Sequence, residues 1–334
     1  MRIAILSPIA WRTPPRHYGP WEQMAFNLAE GLVAQGLSVT LFATADSQTS
    51  GTLEAISPKG YAEDDTLDAK VQECLHISHL MEQAGQFDII HNHFDFLPLT
   101  YSRLIKTPMV TTIHGFSSPK IIPVYVRYND NSYYVSISNA DRSPELRYTA
   151  TVYNGINTGN FSPEMQPEDY LLYFGRIHPH KGTYDAIQIA KSTGHRLVIA
   201  GIVQDEHYFR EKVAPYLDEQ ITYIGPVGGT ARNTLLGRAK ALLHPIYFNE
   251  PFGLSVAEAM YCGTPVLAYN RGAMPELIHH QQTGLLVNNL QEAIASVPDL
   301  QRIDRHTCHA HALAHFSQEK MVRDYLKVYE VVLG

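Results

Sequence analysis

Only three cysteines, Cys74, Cys262 and Cys308, occur in 334 residues. They are too few for a disulfide framework, and no C-x-x-C pair suggests zinc. Thiols so sparse fit a reducing, cytoplasmic compartment. Positive charge is also short: 26 Lys and Arg face 33 Asp and Glu, a net of −7. The deficit is shared, −4 up to Gly155 and −3 beyond it, so neither half is the basic module of a nucleic-acid binder. No apolar run approaches the roughly 18 residues of a membrane span. Met1 and Arg2 lead into Ile3–Leu6, too short for a signal-peptide core. Peripheral contact at the inner face of a membrane stays compatible with this. Several fingerprints are missing too: G-x-G-x-x-G of nicotinamide enzymes, the G-x4-G-K-[ST] P-loop, H-E-x-x-H and G-x-S-x-G.

What is present is apolar mass, 45% hydrophobic against 18% charged. At roughly 100–200 residues per domain the length predicts two domains. Short runs rich in Val, Ile and Tyr alternate with helical spacing, the pattern of βαβ units and parallel sheets. In the first half the expected strands are Ile3–Ser7, Ser38–Ala43, Asp88–His91, Met109–His114, Tyr134–Ile137 and Thr151–Tyr153. Trp21–Ala34 carries Met24, Leu28 and Leu32 at helical spacing, with Gly36 as its stop. Asn154–Asp169 has no periodicity and reads as a linker. Beyond it, strands are expected at Leu171–Phe174, Leu197–Ala200, Thr222–Ile224, Ala241–His244 and Val266–Ala268, with helices at Gly182–Lys191, Arg232–Lys240, Leu254–Met260 and Gln318–Leu333. The expected division is residues 1–155, residues 156–316, and a closing helix over 317–334 that packs back on the first domain. In doubly wound α/β domains ligands sit at the carboxyl ends of the strands, which selects the loops to inspect.

The most informative of these loops is Glu250-Pro-Phe-Gly-Leu-Ser-Val-Ala-Glu258, running on to Gly263, Thr264 and Pro265. Phe252, Gly253 and Leu254 are expected to form a first helical turn. Its amides and dipole suit a diphosphate. Glu258 is spaced to accept ribose hydroxyls and Glu250 to face sugar hydroxyls. Alternatively, the two carboxylates simply complement a helix N-terminus. Upstream, Phe174-Gly-Arg-Ile-His-Pro-His-Lys-Gly182 sets Arg176 and Lys181 after a strand, where a guanidinium fork and an ammonium grip a diphosphate or are merely solvated.

Together these segments resemble the GT-B glycosyltransferases, specifically the retaining family 4 (glycosyl transferases group 1). The likeness rests on EPFGLSVAEAM, on CGTPVLAYNRGAMPELI and HQQTGLLV after it, on FGRIHPHKG, and on Tyr153-Asn-Gly-Ile-Asn157 as an interdomain connection. It is strongest from Tyr153 to Val287. The resemblance implies two Rossmann-like doubly wound domains facing across a cleft, an acceptor domain first and a donor domain second. It implies transfer of a hexose from a nucleotide sugar to a carbohydrate or glycolipid acceptor. It also implies that Arg176 and Lys181 replace a metal, so that no cofactor is required, and that Val227, in Gly-Pro-Val-Gly, lies beside the base. Tyr18-Gly-Pro-Trp-Glu22 stands where the family has a glycine-rich loop. Gly19 keeps a phosphate contact there, but Pro20 has no N–H to offer and serves equally as a helix start. His114 matches a histidine beside the donor sugar. His91 and His93 either line the acceptor cleft or simply form a polar strand terminus, and Tyr18 with the loops Ala10–Tyr18 and Phe94–Tyr101 is expected to line that cleft. His306, His309, His311 and His315 read as a solvated helix without one common face. A nucleotide-sugar 2-epimerase on the same fold, and a silent nucleotide-sugar-binding subunit, are the competing readings.

Overall fold

The computed structural model describes every residue except His17 and Ser117. The chain divides into two compact units, Met1–Gly155 with Gln318–Gly334, and Ile156–Ser317. The first contains strands β1 (Arg2–Leu6), β2 (Ser38–Phe42), β3 (Thr52–Glu54), β4 (Ile89–Asn92), β5 (Met109–Ile113), β6 (Tyr133–Ser136) and β7 (Tyr148–Thr151), with helices α1 (Pro20–Ala34), α2 (Ala69–Glu82) and α3 (Ile122–Arg127). Its sheet runs in the order β3-β2-β1-β4-β5-β6-β7, and every pairing is parallel. The second unit has β8 (Leu171–Phe174), β9 (Leu197–Ala200), β10 (Ile221–Tyr223), β11 (Ala241–His244), β12 (Val266–Tyr269) and β13 (Gly284–Val287). Its helices are α4 (Thr183–Thr193), α5 (Glu206–Tyr208), α6 (Gly229–Arg238), α7 (Leu254–Tyr261), α8 (Met274–Leu277), α9 (Leu290–Ser296) and α10 (Arg305–Phe316). That sheet is parallel in the order β10-β9-β8-β11-β12-β13. Both are Rossmann-like. A final helix, α11 (Gln318–Leu333), completes the first unit.

Alternation along β1 explains how one strand supports two cores. Ile3 and Ile5 point to one face and Ala4 and Leu6 to the other, and all four are fully buried. The first face packs against Ala25, Leu28 and Leu32 of α1 and Met321, Val322, Tyr325, Val328 and Tyr329 of α11. The second packs against Ile77 and Leu80 of α2 and against Phe94, Leu99 and Tyr125. Side chains of this size contribute about 1.5–3 kcal/mol each when fully buried, so α11 is part of this core. Among the described residues no helix is long and apolar enough to cross a membrane.

One expected strand is displaced, and several elements were not expected. The last strand of the first unit lies at Tyr148–Thr151, earlier than Thr151–Tyr153, because Ser136 pairs with Thr151 after a register shift at Tyr134/Val135. β3 and β13 were not expected, being a three-residue edge strand and a run inside a motif. α2 was also missed: of its 14 residues only His76, Ile77, Leu80 and Met81 are buried, which leaves little periodic signal.

In each sheet the winding reverses beside the first strand, between β1 and β4 and between β8 and β11. Carboxyl-end loops part at such a point and leave a crevice. Arg176, Lys181 and Glu250 all sit on the loops after β8 and β11.

Candidate active site

In the second unit, the loop after β8 folds against the loop after β11. The amide of Tyr247 donates to the carbonyl of His180 at 2.8 Å. Gly182 adopts φ 71°, and a Cβ there would stand 1.8 Å from the Pro245 carbonyl oxygen; only glycine permits this approach. The buried Asp185, in the first turn of α4, accepts from Tyr247 Oη at 2.6 Å and from Tyr269 Oη. The braced loops bring Lys181 Nζ to Glu250 Oε2 at 2.5 Å, both side chains only 14% exposed. The ammonium also lies 4.5 Å above the Phe248 ring. Arg176 is not in this pair: its Nη1 donates to Gln204 Oε1 at 2.7 Å.

Helix α7 begins at Leu254, with Gly253 as its N-cap at φ 102°. Phe252 therefore precedes the first turn, contrary to the sequence expectation. Its ring is turned inward, 2% exposed and edge-on to Phe316, because apolar burial outweighs a position facing solvent. Glu258, one turn into α7, is 6% exposed and pairs with Arg232 Nη2. Burial pushes its carboxyl up and Arg232 opposes the shift. The Arg232 guanidinium also lies 5.0 Å above the Phe174 ring. Sequence reasoning missed Arg232, although a signal was available: a cation in the first turn of a helix opposes the dipole and asks for a partner. Val227 lies half-buried on the loop after β10, two strands away from β8.

In the first unit, Gly19 is the N-cap of α1 at φ 153° and Pro20 is N1, so Pro20 acts as a helix start. Beneath the loop lies the Glu22 carboxylate, 3% exposed, which accepts the Trp11 amide at 3.3 Å. Burial pushes it up to about 7. Tyr18 is half-buried, edge-on to Trp11; His17, in the same expected acceptor loop, lies outside the described residues. His114 follows β5 directly, 8% exposed and stacked on Trp21 at 5.7 Å. Its Nε2 meets His93 Nδ1 at 2.9 Å.

His91 and His93 are buried side chains, although the sequence had suggested residues that line a cleft. They are 0% and 1% exposed, because β4 runs mid-sheet between β1 and β5. His91 is held by Tyr329 Oη at 2.6 Å and Thr112 Oγ1 at 2.8 Å. Burial pushes His91 and His114 down to about 3, so both rings are neutral at physiological pH.

Of the C-terminal histidines, His306 and His315 are exposed as expected, whereas His309 and His311 are half-buried. His309 Nδ1 meets the Tyr261 carbonyl at 2.5 Å and His311 Nε2 the Leu277 carbonyl at 2.9 Å. His311 and His315, one turn apart, do share a face, with ring centroids 4.8 Å apart. Among the described residues no group of three or more His, Cys, Asp or Glu is placed to hold a metal ion.

Comparison with known proteins supplies independent findings. Residues 160–302 match the family model for glycosyl transferases group 1, and residues 22–159 that for glycosyltransferase family 4. Glycogen synthase of Mycobacterium tuberculosis is 27% identical over 364 residues, covering 90% of this chain and 86% of the synthase. Among solved structures, sucrose-phosphate synthase from Thermosynechococcus elongatus superposes with a TM-score of 0.80 at 18% identity, covering 99% of this chain and 98% of that one. Anabaena HepE in complex with UDP and glucose superposes with a TM-score of 0.76 at 17% identity, covering 99% and 100%.

Proposed function

The chain belongs to the group 1 glycosyltransferases of GT-B type, and from that premise we propose that it moves a hexose from a nucleotide sugar, with retention and without a metal, to a carbohydrate or glycolipid acceptor. The observation that carries this reading is the pairing of both motif glutamates with cations: Glu250 with Lys181 and Glu258 with Arg232. Such a site offers carboxylates to hydroxyls and, nearby, cations and helix amides to phosphates. Bond cleavage places charge on the departing diphosphate. Arg176, Lys181 and the amides at Gly253 and Leu254 would stabilise it, as preorganised donors do in a water-poor site. Glu258 would hold the ribose, Val227 would flank the base, and Glu250 would orient the hexose, with His114 in the role the resemblance gives it.

With retention, the acceptor hydroxyl attacks on the face the leaving group departs from, and a phosphate oxygen takes its proton. No protein nucleophile is needed. UDP-glucose is the first donor to try, since HepE was solved with UDP and glucose; GDP-mannose is second.

A thermal-shift series with UDP, GDP and ADP, each with EDTA and with magnesium, tests the donor site. One nucleotide at 100 times its Kd is expected to add about 2.7 kcal/mol to the native state, in EDTA as in magnesium. A shift that appears only with magnesium would overturn the metal-free mechanism.

A further inference from the structure

Resting on that reading, Lys181 has two claims on it: the Glu250 carboxylate that it holds in the structure, and the diphosphate of an arriving donor. An ammonium drawn toward phosphate leaves Glu250 short of a donor in a pocket where that side chain is 14% exposed. A desolvated carboxylate without a partner is unfavourable and would drift from the sugar hydroxyls it is meant to orient.

The group able to replace Lys181 sits behind the pair. His244 closes β11 and is 6% exposed. Its Nε2 is inaccessible and has no hydrogen-bond partner among the described residues. It stands 3.8 Å from Glu250 Oε2, the same oxygen that Lys181 holds. A strand-end position used for packing alone would favour an apolar side chain, because an orphaned ring nitrogen costs what an unmade hydrogen bond costs. The ring is neutral, burial pushing it down to about 4, so it can donate without adding charge. We propose that His244 is a positioning residue for Glu250: its Nε2–H closes onto Oε2 as Lys181 turns to the diphosphate, and keeps the carboxylate aimed at the hexose. Glu250 changes donor and stays in place.

The test is calorimetric titration in EDTA with the nucleoside diphosphate selected by thermal shift, and with its glucose or mannose conjugate, alongside kcat and KM. His244→Leu removes the donor at similar volume. It is expected to weaken the nucleotide sugar about tenfold and to lower kcat. His244→Gln keeps an N–H and should recover to within about threefold of wild type. In a Glu250→Gln background, His244→Leu should cost nothing further. Near-wild-type behaviour of His244→Leu, or the same loss in both backgrounds, would overturn the proposal. Lys181→Met separates this from the underlying reading: if it binds the diphosphate as wild type does, or if no nucleotide binds wild type, the donor site itself is wrong.

Discussion

Glu22 is a carboxylate whose folded form resists ionisation. Its ordinary value near 4.5 rises to about 7 through burial, so the native state holds the proton more tightly than the unfolded chain does. Stability from this group is full below pH 4.5 and is lost as pH rises through 7. Glu22→Gln escapes that loss. It should exceed wild type by about 3 kcal/mol at pH 8 and match it near pH 4.5, and a pH-independent difference in denaturant midpoints would refute the burial argument. Tyr329→Phe strips a partner from the buried His91 and should cost about 1–3 kcal/mol, read from the same unfolding curves. At this scale the sequence was legible where chemistry clusters in the chain. Lys181 and Glu250 stand out beside glycines in their strand-end loops, and Glu258 in the helix that follows. His244 was opaque, since only the packed loops bring it to a carboxylate, and Arg232 gave only the faint signal of a cation at a helix start. His91 was misread because burial depth in a parallel sheet depends on strand order, which the chain does not spell out.

Elements were legible where burial is two-sided. β8, β9 and β11 fall where Leu-Leu-Tyr-Phe, Leu-Val-Ile-Ala and Ala-Leu-Leu-His predict them, as continuous apolar runs do. Edge elements escaped: β3 and α2 bury one side thinly, and β7 follows its register with β6 rather than its own composition. The contact between the β8 and β11 loops was equally hidden, although it fixes the site. Gly182→Ala drives a Cβ into the Pro245 carbonyl, so the loops must separate. The expected result is a loss of roughly 2–4 kcal/mol in stability and weaker nucleotide binding. An unchanged nucleotide Kd, measured by calorimetry, would mean that the loop contact does not position Lys181 and Glu250.

The molecule is two units but not two consecutive halves, since α11 belongs to the sheet begun by β1. Both tryptophans, Trp11 and Trp21, lie in that first unit, so tryptophan fluorescence reports on it alone. Deleting Gln318–Gly334 should red-shift that emission and remove the unit's cooperative unfolding. A native-like spectrum would show that α11 is dispensable. Timing follows from the same connectivity. The ribosome releases β1, α1 and the strands after them early, yet α11, which also packs on Ile3 and Ile5, follows only after Ile156–Ser317. At roughly 5–20 residues per second, the apolar face waits on the order of ten seconds or more while the second unit is made. During that interval α1 covers only part of the face, and the nascent chain presents the remainder as a hydrophobic surface, a natural client for a chaperone stationed at the exit tunnel.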